Sequence, residues 1–190
     1  MNLRDKQREE TKKRIYECAF KLFEEKGFHN VKVQDIANEA GISIGGLYHH
    51  YKSKEDIIDY GYYTFDEDLQ EHYENQKIHS PAEGIHVLIG YQMQTCVDRG
   101  YEIITITFRN QMQLDNTYRY SNDRYLTKMI RENLKKAGLD EQTAEEAVTF
   151  ILRTSRGCVY DWCCKKGNFA LKEETLKQID MILEYYRIKI

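Results

Sequence analysis

The stretch from Gly27 to Ile58, GFHNVKVQDIANEAGISIGGLYHHYKSKEDII, gathers the side chains best suited to meeting a polyanion. Ser43-Ile44-Gly45-Gly46 carries no acidic group, so a helix beginning there approaches base edges without repulsion. Tyr48, His49, Tyr51, Lys52 and Lys54 follow, and their hydroxyl, imidazole and ammonium groups are good phosphate partners. Ser53 opens a further helix whose first N–H groups and dipole suit another phosphate. Other chemistries fail on spacing. The chain has no Gly-rich phosphate loop and no recognisable nucleophile–base pair. Cys158-x4-Cys163-Cys164 misses the paired Cys-x2–4-Cys pattern of structural zinc and has no matching His pair. The expectation is a protein with no catalytic residues, no metal and no cofactor; a vicinal pair such as Cys163-Cys164 can bind soft metals or sense oxidants, but most cytoplasmic cysteines are small buried hydrophobes.

Helices must position these groups. Ile15, Ala19, Leu22 and Phe23 recur at the spacing of one buried stripe, and Gly27 suits the residue past a helix end. A second helix from Val33 to Ala40 buries Ile36, Ala37 and Ala40, and Gly41 stops it with a turn that needs positive φ. Ser43 caps a third helix, Ile44 to about Tyr51, with Leu47 and Tyr51 facing inward. Val33–Tyr51 therefore reads as helix, tight turn, helix, the arrangement whose second member enters the DNA major groove N-terminus first.

The remaining chain predicts longer helices. One segment runs from Lys54 to about Gln76, after Ser53 and Asp56 form a capping box. Ser80-Pro81-Ala82-Glu83 is a strong helix start, and the helix it opens closes near Gly100. Tyr101–Phe108 alternates like a strand, yet a lone strand has no pairing partner, so it is assigned to helix. Asn116–Gly138, Asp140–Lys166 and Lys172–Ile188 complete an all-α fold.

Composition agrees. The 190 residues include one proline, and 31% are charged against 41% hydrophobic, a mix that folds as a globular protein. No apolar run reaches the ~20 residues needed to span a bilayer, and five cysteines without framework spacing suit a reducing compartment. A cytoplasmic location is expected. Residues 1–54 carry 11 Lys+Arg against 8 Asp+Glu, and the remainder 17 against 23. A basic first segment on an acidic remainder points to an anionic partner met at one end, nucleic acid foremost.

Gly27-Phe28, Asp35-Ile36-Ala37, Ala40-Gly41-Ile42-Ser43, Gly45, Leu47-Tyr48, His50-Tyr51 and Ser53-Lys54 together resemble the TetR family of bacterial transcriptional regulators. The resemblance covers the N-terminal third of the chain. It implies a three-helix DNA-binding domain with a helix-turn-helix, here residues 1–53, and a larger helical domain for effector binding and dimerisation, residues 54–190. It also implies DNA contacts by Gln34, Ser43, Ile44, Gly45, Gly46, Tyr48, His49 and Lys54. This chain departs from the pattern at Val31-Lys32-Val33, where the family often has a capping threonine, and at Tyr51, where it has phenylalanine.

The same resemblance implies a homodimer through the last two helices, about 140–188, on a pseudo-palindromic operator. It implies an apolar effector cavity, for which Tyr91, Phe108, Met112, Tyr125 and Trp162 are candidates. The expected function is a repressor released by a small-molecule effector, with coupling carried by the long helix from Lys54. Two alternatives are a DNA-binding regulator without an effector, acting through a protein partner, and a cytoplasmic enzyme.

Overall fold

A computed structural model describes residues 3–113 and 124–189, excepting the side chains of 62, 63 and 113. Its helices are α1 (Leu3–Lys26), α2 (Val33–Glu39), α3 (Ile44–His50), α4 (Lys54–Tyr63), α5 (Phe65–Glu74), α6 (Pro81–Gln113), α7 (Tyr125–Lys136), α8 (Glu141–Cys164) and α9 (Leu171–Tyr185), with a 3-10 turn at Phe28–Asn30. No strand occurs among the described residues, and Tyr101–Phe108 is helical as its lack of a partner required. The all-α expectation holds. The start of the expected Asn116–Gly138 helix lies outside the described residues, and α7 accounts for the rest.

The chain divides into two compact units after Thr64. The boundary expected at 53/54 thus moves by one helix, because α4 packs with α1 in the first unit. The single segment expected from Lys54 to Gln76 is two helices. Thr64 closes α4, and Asp66, Glu67 and Asp68 in the next turn favour a fresh helix N-terminus over a continuation.

In the first unit α1 buries Ile15, Ala19, Leu22 and Phe23 as the stripe predicted. Against them lie Phe28, Ile36, Ala37, Leu47, Ile57 and Ile58, all essentially without solvent contact. Rings extend this core: Phe23 packs on Phe28 with centroids 5.0 Å apart, and Tyr16 on Tyr60 at 5.4 Å.

The second unit is a helical layer structure around one larger core. Leu69 of α5, Ile85, Ile89 and Met93 of α6, Ile130 and Leu134 of α7, Ile151 of α8, and Ile179 and Leu183 of α9 are fully buried in it. The Ser80 start signal operates: Ser80 Oγ accepts from Glu83 N at 3.1 Å, and Glu83 accepts from His79 N at 2.6 Å. α6 bends where Gly100 takes φ 79°, so Pro81–Gln113 is two helical arms joined at one residue. Arg124, at the start of α7, reaches Asp66 with two N–H groups at 2.8 and 3.1 Å, a buried pair that fixes α7 to α5. No described helix is long and apolar enough to cross a membrane.

Candidate nucleic-acid interface

The turn between α2 and α3 is set by backbone geometry. α2 ends as Ala40 N donates to Ile36 O at 2.9 Å, and Gly41, at φ 66°, turns the chain so that Ile42 N reaches Ala37 O at 3.0 Å. A side chain at Gly41 would be strained in this left-handed conformation. Ser43 then caps α3, its Oγ accepting from Gly46 N at 3.0 Å. At the other end of α2 the missing threonine has a partial substitute. Lys32 N donates to the Asp35 carboxylate at 2.8 Å, which forms one half of a capping box.

α3 has two unlike faces. Leu47 is fully buried and Tyr51 nearly so, with the Tyr51 hydroxyl donating to Lys12 O at 2.9 Å and the ring 6.1 Å from Tyr60. Burial pushes the Tyr51 hydroxyl pKa up, followed by the influence of Tyr60, so it stays a donor. On the opposite face Ile44 is 38% and Tyr48 52% exposed, and Gly45 and His49 are exposed beside them. Gln34 is exposed at the start of α2, where its Nε2 donates to Asn38 Oδ1 at 2.8 Å. Gln34, Ile44, Gly45, Tyr48 and His49 are thus all solvent-facing, with Ser43 exposed and Gly46 half-buried at the cap.

Lys54 is placed differently from its expected phosphate role. Its ammonium donates to Phe28 O at 2.5 Å and Val31 O at 2.8 Å and lies 4.0 Å from the centre of the Phe28 ring. Burial lowers its pKa, and Glu55 opposes that. The side chain ties α4 to the 3-10 turn. A lysine in a helix's first turn opposes the dipole, and here two carbonyls and a ring face offset that cost. Ser53 Oγ accepts from Asp56 N at 3.2 Å as predicted, while the Asp56 carboxylate accepts from Lys52 N at 2.7 Å, one residue ahead of the expected box partner.

Sequence reasoning passed over Asn38 and His50. Asn38 shares a face with Gln34 at i, i+4, a spacing that was readable. His50 is half-buried, its ring 5.6 Å from His49, with Nδ1 buried and lacking a hydrogen-bond partner. Burial lowers its pKa, then His49, Arg8 and Lys12.

The five candidate effector residues have different settings among the described residues. Tyr91 stacks on His72 at 4.5 Å and lies 5.8 Å from Phe65; Tyr125 meets Tyr73 at 6.3 Å; Phe108 packs half-buried on the core. Trp162 is buried in that core, while Met112 is 75% exposed. Large side chains at helical spacing went mainly to packing. A cleft of about 680 Å³ is lined by residues of α8, α9 and their connection, among them Cys158, Asp161, Phe169 and Gln178. Another of about 350 Å³ is bounded by Phe150, Met181, Ile182, Tyr185 and Tyr186. Gln92 Oε1 and both amide atoms of Gln111, on α6, are buried without a partner, and single glutamines on a long helix gave no signal of this. Among the described residues no group of three His, Cys, Asp or Glu side chains is arranged to hold a metal.

Residues 15–60 match the profile of bacterial regulatory proteins of the tetR family. An HTH-type transcriptional regulator of Staphylococcus aureus strain USA300 is 38% identical over 98 residues, 49% of this chain and 51% of the relative. The chain thus spans about half the length of the curated relatives it matches. Among solved structures, a TetR-family transcriptional repressor from Thermus thermophilus is 21% identical with a TM-score of 0.66, over 94% of this chain and 96% of the other. A putative transcriptional regulator from Saccharomonospora viridis, also 21% identical, reaches 0.68 over 96% and 100%. These likenesses extend the fold correspondence through the second unit. With the profile spanning α1 to α4 and a capped, glycine-turned helix pair at its centre, the first unit matches the tetR family of bacterial regulatory proteins.

Proposed function

We propose that this chain is a cytoplasmic, ligand-responsive transcriptional regulator that represses by binding a pseudo-palindromic operator as a homodimer. The observation that carries the reading is the split of α3. Leu47 and Tyr51 anchor it from behind, and Ile44, Gly45, Tyr48 and His49 face outward from a helix with no acidic side chain. In this proposal Gln34, Ser43, Ile44, Gly45, Gly46, Tyr48 and His49 meet DNA, and Lys54 braces α4. The relatives are named as regulators, not as enzymes.

The dimer reading rests on α8 and α9, which leave Phe150 57%, Tyr160 60%, Met181 67% and Tyr185 79% exposed. Large apolar groups clustered on adjacent helices favour burial against a second copy. For the effector, the Thermus thermophilus protein was solved with lauroyl-CoA and the Saccharomonospora viridis protein with choline. Two such different ligands on one fold support a small-molecule effector without indicating which. Its release of DNA would operate through differential affinity for two dimer states, transmitted across the α4–α5 joint at Thr64.

The test is binding of the purified chain to operator DNA selected from genomic fragments. Affinity is expected to fall steeply with salt as phosphate contacts release counterions. Tyr48→Ala and His49→Ala should each lower it by about tenfold or more, the cost of one charge-assisted hydrogen bond at about 1.5–3 kcal/mol. Salt-insensitive binding, equal on every fragment, would overturn the proposal.

A further inference from the structure

We infer that the recognition surface of α3 selects thymine by apolar contact, with Ile44 covering the thymine 5-methyl group in each half-site. This rests on the DNA-binding reading above and specifies what that surface reads.

The outward face of α3 is Ile44, Gly45, Tyr48 and His49. Forked recognition of a base edge uses arginine or lysine on guanine O6 and N7, or asparagine or glutamine on adenine N6 and N7. α3 contains none of these four residue types: its sequence is IGGLYHH. The group on the major-groove floor that an aliphatic side chain can meet favourably is the thymine methyl. Ile44 is the aliphatic side chain in position to do so. It is 38% exposed in the first turn, one turn ahead of the 52% exposed Tyr48, so the two form a continuous apolar ridge at i, i+4.

The glycines allow the approach. A Cβ at Gly45 would have nothing nearer than Ser43 Oγ at 3.9 Å, so the surface beside Ile44 is open. No neighbouring side chain holds the α3 backbone off the base pairs there. The same contact discriminates negatively. Seating Ile44 over guanine would remove water from the O6 and N7 acceptors and give them no donor in return, which costs free energy. His49, one polar tip on this face, is left to meet a phosphate or a single acceptor.

The experiment begins by selecting the operator from a randomised duplex library with the full-length chain. Each thymine of the selected half-site is then replaced by uracil, which deletes only the methyl, and affinity is measured by fluorescence anisotropy. At the position under Ile44 the replacement should weaken binding roughly fourfold, and about fifteenfold when made in both half-sites, following ~0.8 kcal/mol per buried methylene-sized group. Ile44→Ala should bind wild-type and uracil operators equally. Ile44→Val, which keeps two methyls, should retain part of the discrimination and serves if Ile44→Ala binds too weakly to measure. Ile44 projects from the folded unit, so circular dichroism of both variants should match the parent. Equal affinity of the unsubstituted chain for thymine and uracil operators would overturn the inference, as would a uracil penalty unchanged in Ile44→Ala and Ile44→Val. Selection that enriches no sequence would overturn the DNA-binding reading itself, a result distinct from either.

Discussion

In the residues up to Thr64, three short helices beside the long α1 are tied in place by side chains that reach backbone groups. In those from Phe65 onward, helices of 10 residues and more rely on a continuous apolar core and a few buried polar links. The first unit has α2 and α3 at seven residues each, far below the ~12–15 at which an isolated helix is even marginal. Caps from Ser43 and Ser53, the Tyr51 hydroxyl on Lys12 O and the Lys54 ammonium on Phe28 O and Val31 O hold them in place. The second unit has helices of 24 and 15 residues in α8 and α9, stabilised by packing. A helix that must present one face to DNA gains rigidity from ties behind it. Helices with a large core can leave an apolar face for a partner.

The largest test of this contrast lies in the second unit. Arg124→Ala would leave the Asp66 carboxylate buried without its guanidinium, and breaking such a pair costs about 3–5 kcal/mol. Trp162 is the one tryptophan of the chain and sits in this core, so its fluorescence in urea reports this unit. The expected result is a large fall in the Trp162 midpoint. A loss under about 1 kcal/mol would mean the pair behaves as a surface ion pair, and packing alone fixes α7 to α5.

Next in size is Lys54→Met, which keeps an apolar stem and removes both ties to the 3-10 turn. Hydrogen bonds from a charged donor are worth about 1.5–3 kcal/mol, and far-UV circular dichroism should show that loss while the Trp162 midpoint stays put. The salt dependence of DNA binding separates brace from contact. A brace leaves the slope of log affinity against log salt unchanged, whereas a phosphate contact lowers it by about one. A change of that size would return Lys54 to the interface.

What the sequence made legible follows the same division. The helix pair, its glycine turn and its serine caps were readable because each is a local rule: a positive φ needs glycine, and an N-cap needs a short acceptor. The inward Leu47 and Tyr51 followed from helical spacing. The ties of Lys54 were not legible because its carbonyl partners lie 23 and 26 residues away in sequence, beyond any local pattern. The break at Thr64 was missed because apolar spacing runs through it, and only the acidic turn at Asp66–Asp68 marked a new start. The effector candidates divide by their burial. Trp162 in the core and exposed Met112 carry the same sequence signal, and tertiary packing decides between them.

Ser43→Ala is a smaller perturbation, costing about 1 kcal/mol as the Gly46 N–H loses its acceptor. It sharpens the comparison because α3 is held at both ends: Tyr51 should keep it docked, so a loss of DNA affinity beyond the stability change reports the direct contact proposed for Ser43. A loss of affinity no larger than the stability change would instead confine Ser43 to capping α3.

The smallest expected effect is a dependence on pH at the C-terminal end of α3. Burial, then His49, Arg8 and Lys12, depress the His50 pKa below the ordinary 6.5, with Glu9 opposing. The unfolded chain therefore takes up this proton first, and stability falls as pH drops below the ordinary value, until the folded imidazole also protonates. Above it both states are neutral and the group contributes no pH dependence. His50→Gln removes the titration and keeps a polar side chain, so urea unfolding followed by circular dichroism at about pH 7.5 and about pH 5.5 isolates it from the carboxylates. The parent should lose more stability across that interval than the variant. Equal losses would mean that water reaches the ring, and that the back of the recognition helix is less closely packed than Leu47 and Tyr51 make it.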